Sequence, residues 1–197
     1  VREVVGQRIS RLGRSARDVL DAASIIGRDF DIELIAGVMG TSVDQVLDAL
    51  DLAVTAHLVE ASTVSDRFTF THALVQHVLA DGLGPARRRQ LHRRVAAELE
   101  VAGLDSAERH ATTIAHHWLA ATVPVDPAKA IHYARLAGDE AMATLAPDDA
   151  VRWYRSALDL LDPAVQSAER CALLVALGTA QRQMGDPAHR ETLLRAG

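Results

Sequence analysis

The chain has 197 residues and a formal net charge of −5; 49% of its residues are hydrophobic and only 4% are aromatic. This length suits one large domain or two small ones, whose cores must be filled by aliphatic side chains and alanine. A single cysteine excludes an internal disulfide framework and fits a reducing compartment. No stretch approaches the roughly 20 apolar residues of a membrane helix, so we expect a cytoplasmic protein that does not engage a membrane.

The charge is unevenly distributed along the chain. Residues 1–82 hold 7 Arg against 12 Asp and Glu, whereas residues 83–197 hold 14 basic and 14 acidic residues. The sequence begins at Val1 rather than Met and ends just after a helical run, so we interpret it as a fragment of a larger protein.

Short helices separated by turn residues are predicted for the first part of the chain. Gly13, Gly27 and Gly40 each follow a run with apolar residues at helical spacing. Ser15, Asp31 and either Thr41 or Ser42 are suitable N-caps. The predicted helices cover about residues 2–12, 16–26, 31–39 and 43–57.

A different pattern follows these helices. Residues 58–61 and 67–71 are β-prone, the second run alternates aromatic and polar residues, and residues 62–66 form a polar turn. A helix from His72 to about Ala80 comes next. Helices, a two-stranded hairpin and a further helix, in this order, predict a winged-helix-like domain over residues 1–82, with the hairpin as the wing.

Residues 83–197 show only helical patterns. The Gly82-Leu83-Gly84-Pro85 segment marks the predicted domain boundary, and prolines and glycines separate the later helices. These helices are predicted at about residues 86–102, 106–121, 127–144, 147–161 and 167–185, with another beginning near Ala188. The fold class is therefore mainly α, with helices that pair as antiparallel hairpins.

An internal repeat supports the hairpin array. Gly138 is followed by Ala150, Tyr154 and Ala157, which is the spacing of small and aromatic residues in the tetratricopeptide pattern. Gly178 marks a second unit, but it follows Gly138 by 40 residues instead of the usual 34. We predict an irregular, tetratricopeptide-like array that is incomplete at its C-terminus.

The most distinctive stretch runs from Phe68-Thr-Phe-Thr-His72-Ala-Leu-Val-Gln-His to Arg87-Arg-Arg-Gln-Leu-His-Arg-Arg94. It resembles the region that follows the nucleotide-binding core in STAND-type signalling ATPases, in particular large transcriptional regulators of the LuxR type. The resemblance implies a winged helix followed by tetratricopeptide-like repeats. It also implies a regulatory role in signal transduction, in which the segment couples a protein partner or a small inducer to the nucleotide switch of the parent protein.

The resemblance also indicates what this chain does not carry out. No Gly-x-x-x-x-Gly-Lys-Ser/Thr loop occurs, so we expect no ATP hydrolysis and no cofactor in this fragment, with ATP or ADP bound only by the core of the parent protein. In related ATPases a Met-His-Asp motif opens the helix after the wing, and its His contacts the ADP phosphate. His72 occupies that place, although Ala73 replaces the Asp; a cap or packing role at the helix start is the alternative.

Other sites are predicted to be absent. The pair His110 and His117 could share a helical face, but no third metal ligand has suitable spacing. No nucleophile elbow or carboxylate pair is visible, so we predict no catalytic residues.

DNA binding by the winged helix, with the helical region serving dimerisation or as a scaffold, is the alternative function. The helix that would read the major groove bears Asp44, Asp48 and Asp51 and has no Arg or Lys, so DNA binding is disfavoured. The basic run Arg87, Arg88, Arg89, Arg93 and Arg94 is either a solvated face that joins the two domains or a contact to an acidic neighbour, such as the acidic N-terminal domain.

Overall fold

The computed structural model describes residues 2–62, 67–102, 111–121, 127–165 and 167–197. The described residues form helices α1 to α11 and strands β1 to β3. The helices are α1 Arg2–Ser10, α2 Arg14–Ile26, α3 Ile32–Met39, α4 Val43–Thr55, α5 Ala73–Gly82, α6 Pro85–Ala102, α7 Ala111–Ala121, α8 Pro127–Ala143, α9 Pro147–Leu158, α10 Ala168–Gln183 and α11 His189–Leu194. The strands are β1 Asp29–Asp31, β2 Val59–Ala61 and β3 Arg67–Phe70. The prediction of a mainly α chain is confirmed.

The small sheet contains one strand more than the sequence predicted. β2 and β3 pair antiparallel as expected, with Val59 opposite Phe70, but β1 pairs antiparallel with the other edge of β3, with Phe30 opposite Phe68. The sheet order is therefore β1-β3-β2: the predicted pairing of β2 with β3 is confirmed, and β1 was not predicted. Residues 63–66 of the predicted turn at 62–66 lie outside the described residues.

Local sequence explains how these short elements begin and end. Asp31 Oδ1 accepts hydrogen bonds from the backbone N–H groups of Glu33 and Leu34 and so caps α3. Gly40 adopts a left-handed conformation just past this helix, with φ of 66°, which glycine allows without steric cost. The sequence had placed both residues in these roles.

The chain divides into two compact units, Val1–Leu99 and Glu100–Gly197. In the first unit, Leu20, Ile35, Leu50 and Phe70 belong to one fully buried core. Most of α6 belongs to this unit, although the sequence boundary was placed before it, at residue 82. The reason is packing: Leu91 and Val95 of α6 form a buried cluster with residues of α2 and α3, namely Ala22, Ile25 and Val38.

The main contacts in the second unit join successive helices, α7 with α8, α8 with α9, α9 with α10, and α10 with α11. Its core is aliphatic and alanine-rich, with Leu173 and Tyr154 among its largest buried side chains. Within the described residues, no helix is both long enough and apolar enough to cross a membrane.

Candidate functional site

His72 lies at the start of α5, as predicted, but its side chain does not cap the helix. The residue is exposed, occupies the N-cap position with an extended backbone, and makes no side-chain hydrogen bond to the first turn. Thr71 beside it donates hydrogen bonds to the backbone carbonyls of His57 (3.1 Å) and Leu58 (3.2 Å). The neighbouring residue thus fixes the backbone here, and the imidazole of His72 remains exposed.

A cavity of about 290 Å³ opens beside His72. Arg8 of α1, His57 from the turn after α4, and Glu60 of β2 also line it. The first N–H groups of α5 lie at the same point of the chain, and the N-terminal end of a helix carries a partial positive charge. Arg8 and the start of α5 favour a small anion in this cavity, whereas the Glu60 carboxylate opposes one.

The outward face of α4 combines carboxylates with exposed apolar side chains. Asp44, Asp48 and Asp51 are all exposed, and they recur at the spacing of one helical face. On the same helix Leu52 is 54% exposed and Val43 is 40% exposed. This mixture of negative charge and apolar surface would repel nucleic acid phosphates, whereas a protein surface could accept both kinds of side chain.

The predicted basic run on α6 is partly used within the first unit. The Arg87 guanidinium lies 3.9 Å from the carboxylate of Asp18 on α2. The Arg88 guanidinium lies 3.8 Å from the Asp81 carboxylate and donates a hydrogen bond to the carbonyl of Ala80. These contacts fasten α6 to α2 and α5.

Arg93 and Arg94, further along the same run, behave differently. Arg94 donates to the carbonyl of Val38 over 3.4 Å, and Arg93 is exposed. Among Arg87, Arg88, Arg93 and Arg94, Arg93 is therefore the one whose side chain forms no ion pair or hydrogen bond in the described part of the chain.

The predicted repeat residues come together at two helix crossings. Ala150 and Ala157 are fully buried, and a Cβ on Gly138 would lie within 2.8 Å of the Cδ1 atom of Tyr154. At the second crossing, a Cβ on Gly178 would lie 2.7 Å from the Leu193 side chain. Both glycines are therefore required by close approach of a neighbouring side chain.

Tyr154 also makes a polar contact that the sequence reasoning missed. Its hydroxyl donates a 2.7 Å hydrogen bond to Asp139 Oδ1. Burial raises the pKa of the Tyr154 phenol, and the hydrogen bond to Asp139 raises it further. The position next to Gly138 was the signal that could have indicated Asp139.

A second missed cluster surrounds Glu100 at the end of α6. Its carboxylate accepts hydrogen bonds from Trp118 Nε1 over 2.8 Å and from Lys129 Nζ over 2.7 Å. The Lys129 ammonium also lies 4.8 Å from the centre of the Trp118 ring. Burial, followed by the charge of Glu100 and a hydrogen bond to it, raises the pKa of Tyr133. One carboxylate thus organises side chains from α7 and α8.

His110 and His117 were the pair weighed as metal ligands. His110 lies outside the described residues, and His117 is buried, with its ring 5.4 Å from that of His116. Over the ranges that the structure describes, no three His, Cys, Asp or Glu side chains are grouped in a way that could hold a metal ion.

Comparisons of the chain with protein-family models, with curated proteins and with solved structures found no match.

Proposed function

We propose that this chain is a non-catalytic regulatory and protein-interaction segment of a multidomain ATP-dependent transcriptional regulator or signalling ATPase of the cytoplasm. In this proposal α1 to α5 of the first unit form the winged-helix-like domain, with α6 packed on it, and the second unit, Glu100–Gly197, is the tetratricopeptide-like array. The order of α1 to α5 with the β2–β3 hairpin supports the first assignment. The Gly138–Tyr154 crossing supports the second.

The exposed face of α4 is the observation that carries the proposal. Asp44, Asp48 and Asp51 would bring three carboxylates to any surface that α4 contacts. Duplex DNA is bound largely by neutralising its phosphates, so this face is unsuited to it. A basic patch on an ATPase core, flanked by apolar surface for Leu52, is a complementary partner. The domain would dock there and hold the core in one nucleotide state.

The cavity beside His72 supports a link to nucleotide. In the parent protein an ADP phosphate would be placed at the start of α5, next to His72 and near Arg8. His72 is not required for a side-chain cap of the helix, so its exposed imidazole is available for such a contact.

The helices of the second unit would receive the signal. Stacked helical hairpins present an extended surface, which in repeat proteins binds a partner. A protein partner or small inducer on this surface would shift the position of the winged-helix-like domain and thereby the nucleotide state of the core.

The test is ADP release from the parent protein that contains both the ATPase core and this chain. The combined substitution Asp44→Asn, Asp48→Asn, Asp51→Asn is expected to speed release at least threefold, because it removes the acidic side of the docking contact. Glu33→Gln, an exposed carboxylate on α3, is the matched control and is expected to leave release unchanged. Unchanged release in the triple variant would refute docking through α4.

The alternative of DNA binding has its own assay. The 197-residue chain should give no salt-dependent electrophoretic shift with duplex DNA at 150 mM salt, where an effective DNA-binding surface would still retain binding. A shift that is lost on raising the salt concentration, and that the triple Asn variant strengthens, would support the DNA-binding alternative instead.

A further inference from the structure

The second unit contains a cavity of about 530 Å³ between α9, α10 and α11. This volume lies within the range of roughly 300 to 1,000 Å³ that is typical of small-molecule sites. One face of α10 forms its floor, with Arg170, Leu174, Leu177 and Gln181 spaced at helical intervals. From Arg170 to Gln181 the helix rises by about 16 Å, so the cavity is an elongated groove, hereafter the α10 groove.

Arg170 is a cation at one end of the α10 groove, and it is only 7% exposed. Its guanidinium makes neither an ion pair nor a side-chain hydrogen bond within the described ranges of the chain. An arginine stays charged at any ordinary pH, and a charge with so little contact with water is stabilised by an opposite charge beside it. Arg170 also lies in the first turn of α10, where the helix dipole disfavours a positive charge. An anion at this end of the groove would pair with Arg170 and would also interact favourably with the N-terminal end of the α10 dipole.

Gln181 lies at the opposite end and is 2% exposed. Its Oε1 atom is buried and has no hydrogen-bond partner among the described residues. Four leucines lie along the groove between the two ends: Leu174 and Leu177 from α10, Leu158 at the end of α9, and Leu161 in the turn that follows it. The groove therefore offers a cation, an apolar middle and an unsatisfied amide, in that order.

The charges around the groove set a limit on the anion. Arg155 and Arg195 also line it, together with the carboxylates of Asp159 and Glu191, all four of them exposed. With Arg170 included, three arginines face two carboxylates, so the groove has one excess positive charge. This charge matches a single carboxylate better than a doubly charged phosphate. A peptide is a poorer ligand for this groove, because each of its residues would bring a backbone N–H and C=O group onto the leucines, where few hydrogen-bond partners exist.

We infer that the α10 groove binds a linear amphipathic carboxylate, with its carboxylate on Arg170, its chain over Leu174 and Leu177, and a terminal hydrogen-bonding group at Gln181. This inference goes beyond the proposed function and does not depend on it, because binding to the chain is measured directly.

The test is isothermal titration calorimetry of the 197-residue chain with three probes of equal chain length: 10-hydroxydecanoate, decanoate and 1,10-decanediol. We expect saturable binding, with the affinity falling from 10-hydroxydecanoate to decanoate to 1,10-decanediol. The neutral diol should bind at least about tenfold more weakly than the hydroxy acid, since a hydrogen bond to a charged group is lost. No saturable heat with 10-hydroxydecanoate, or equal affinity for the diol, would overturn the inference.

Two variants locate the site. Arg170→Met should weaken 10-hydroxydecanoate at least about tenfold and leave the diol unchanged, and apolar replacement of a buried charge is usually tolerated. Arg152→Met, on the exposed side of α9 and outside the groove, is the matched control and should bind like the unaltered chain. Equal binding by Arg170→Met and the control would place the ligand elsewhere and contradict the inference.

If Arg170→Met does not fold, Gln181→Leu decides the matter at the other end of the groove. It should reduce the affinity for 10-hydroxydecanoate to that for decanoate and leave decanoate binding unchanged. A variant that keeps the preference for the hydroxy acid would contradict the inference.

Discussion

The hydroxyl of Tyr154 on α9 donates a 2.7 Å hydrogen bond to Asp139 on α8, and its ring lies against the backbone of the adjacent Gly138. The absence of a side chain at Gly138 therefore permits both the close helix crossing and the hydrogen bond. Ala150 and Ala157, which flank Tyr154 on α9, are fully buried at the same crossing. Small residues, one aromatic ring and one carboxylate together define how α8 and α9 pack.

We expect Gly138→Ala to destabilise the second unit. An added Cβ would overlap the buried Tyr154 ring, and overpacking of a core typically costs about 1 to 3 kcal/mol. This outweighs the gain of about 1 kcal/mol in helix propensity. Urea unfolding followed by circular dichroism measures the effect.

Gly6→Ala is the control for Gly138→Ala, because Gly6 lies within α1 with no atom close to its added Cβ. It should stabilise the first unit by about 0.5 to 1 kcal/mol. Stabilisation by Gly138→Ala of similar size would show that Tyr154 does not constrain the crossing.

The polar cluster at Glu100 should be detectable as an energetic coupling between Glu100 and Lys129. Their side chains are 19% and 44% exposed and their ion-pair distance is 2.7 Å. We expect a double-mutant cycle with Glu100→Gln and Lys129→Met to give a coupling of about 0.5 to 1 kcal/mol, because the carboxylate is mostly shielded from water. Chemical unfolding followed by tryptophan fluorescence is the measurement.

The pair Arg152 and Asp149 on α9 serves as the control cycle. Their side chains are 77% and 48% exposed, so the same analysis should give a coupling below about 0.5 kcal/mol. Equal coupling energies in the two cycles would mean that the burial of Glu100 does not strengthen its ion pair with Lys129.

His72 should be dispensable for stability. Because its exposed side chain makes no capping hydrogen bond, we expect His72→Ala to change the free energy of unfolding by less than about 0.5 kcal/mol. His72→Ser introduces an N-cap acceptor at α5 and should stabilise the first unit by about 0.5 to 1 kcal/mol. Thermal unfolding of the three forms tests both values.

Ser42 provides the comparison for a functioning cap, since its hydroxyl accepts a 3.3 Å hydrogen bond from the backbone of Gln45. Ser42→Ala should cost about 1 kcal/mol. A comparable loss in His72→Ala would show that the imidazole supports the fold and would remove the argument that it is available for a ligand.

Local patterns were sufficient to predict much of this fold. Asp31 and Gly40 were assigned to helix ends, and Ser42 was one of two candidate caps, because capping depends on neighbours within a few residues. Ser15 was wrong as the cap of α2: it lies inside that helix, whose N-cap is Gly13. The Gly138–Tyr154 crossing was also predictable, since the two helices are adjacent in the chain.

Features that depend on distant parts of the chain were not predicted. β1 has three residues, and its pairing with β3 joins Phe30 to Phe68, which no local pattern connects. Likewise, the α6 arginines formed one basic run in the sequence, but Arg87 and Arg94 contact α2 and α3 because α6 packs on those helices.

The candidate ligand groove was missed for a similar reason. Arg170 and Gln181 are polar residues in a helix with little amphipathic pattern, and polarity normally predicts exposure. They are buried only because α9 and α11 pack on either side of α10. The sequence contains no signal for this burial until the neighbours of α10 are known.

The Tyr154 hydroxyl should make the stability of the second unit dependent on alkaline pH. Burial, with the hydrogen bond to Asp139, raises the pKa of Tyr154 above its ordinary value of 10.0. Above that pH the unfolded chain loses the phenol proton while the folded chain retains it, so the free energy of unfolding falls as pH rises. The contribution is fully present below pH 10, and its slope above this pH is at most about 1.4 kcal/mol per pH unit.

Tyr154→Phe isolates this contribution. At pH 8 the variant should be less stable by about 0.5 to 1.5 kcal/mol, because the hydrogen bond to Asp139 is lost. Between pH 10 and pH 11 the difference should shrink by about 1 kcal/mol, since only the unaltered chain carries the penalty of keeping a buried phenol protonated. Other titrating groups are common to both proteins and cancel in the comparison. Urea unfolding at closely spaced pH values provides the measurement, and parallel stability curves for the two proteins would mean that Tyr154 ionises in the fold as readily as in the unfolded chain.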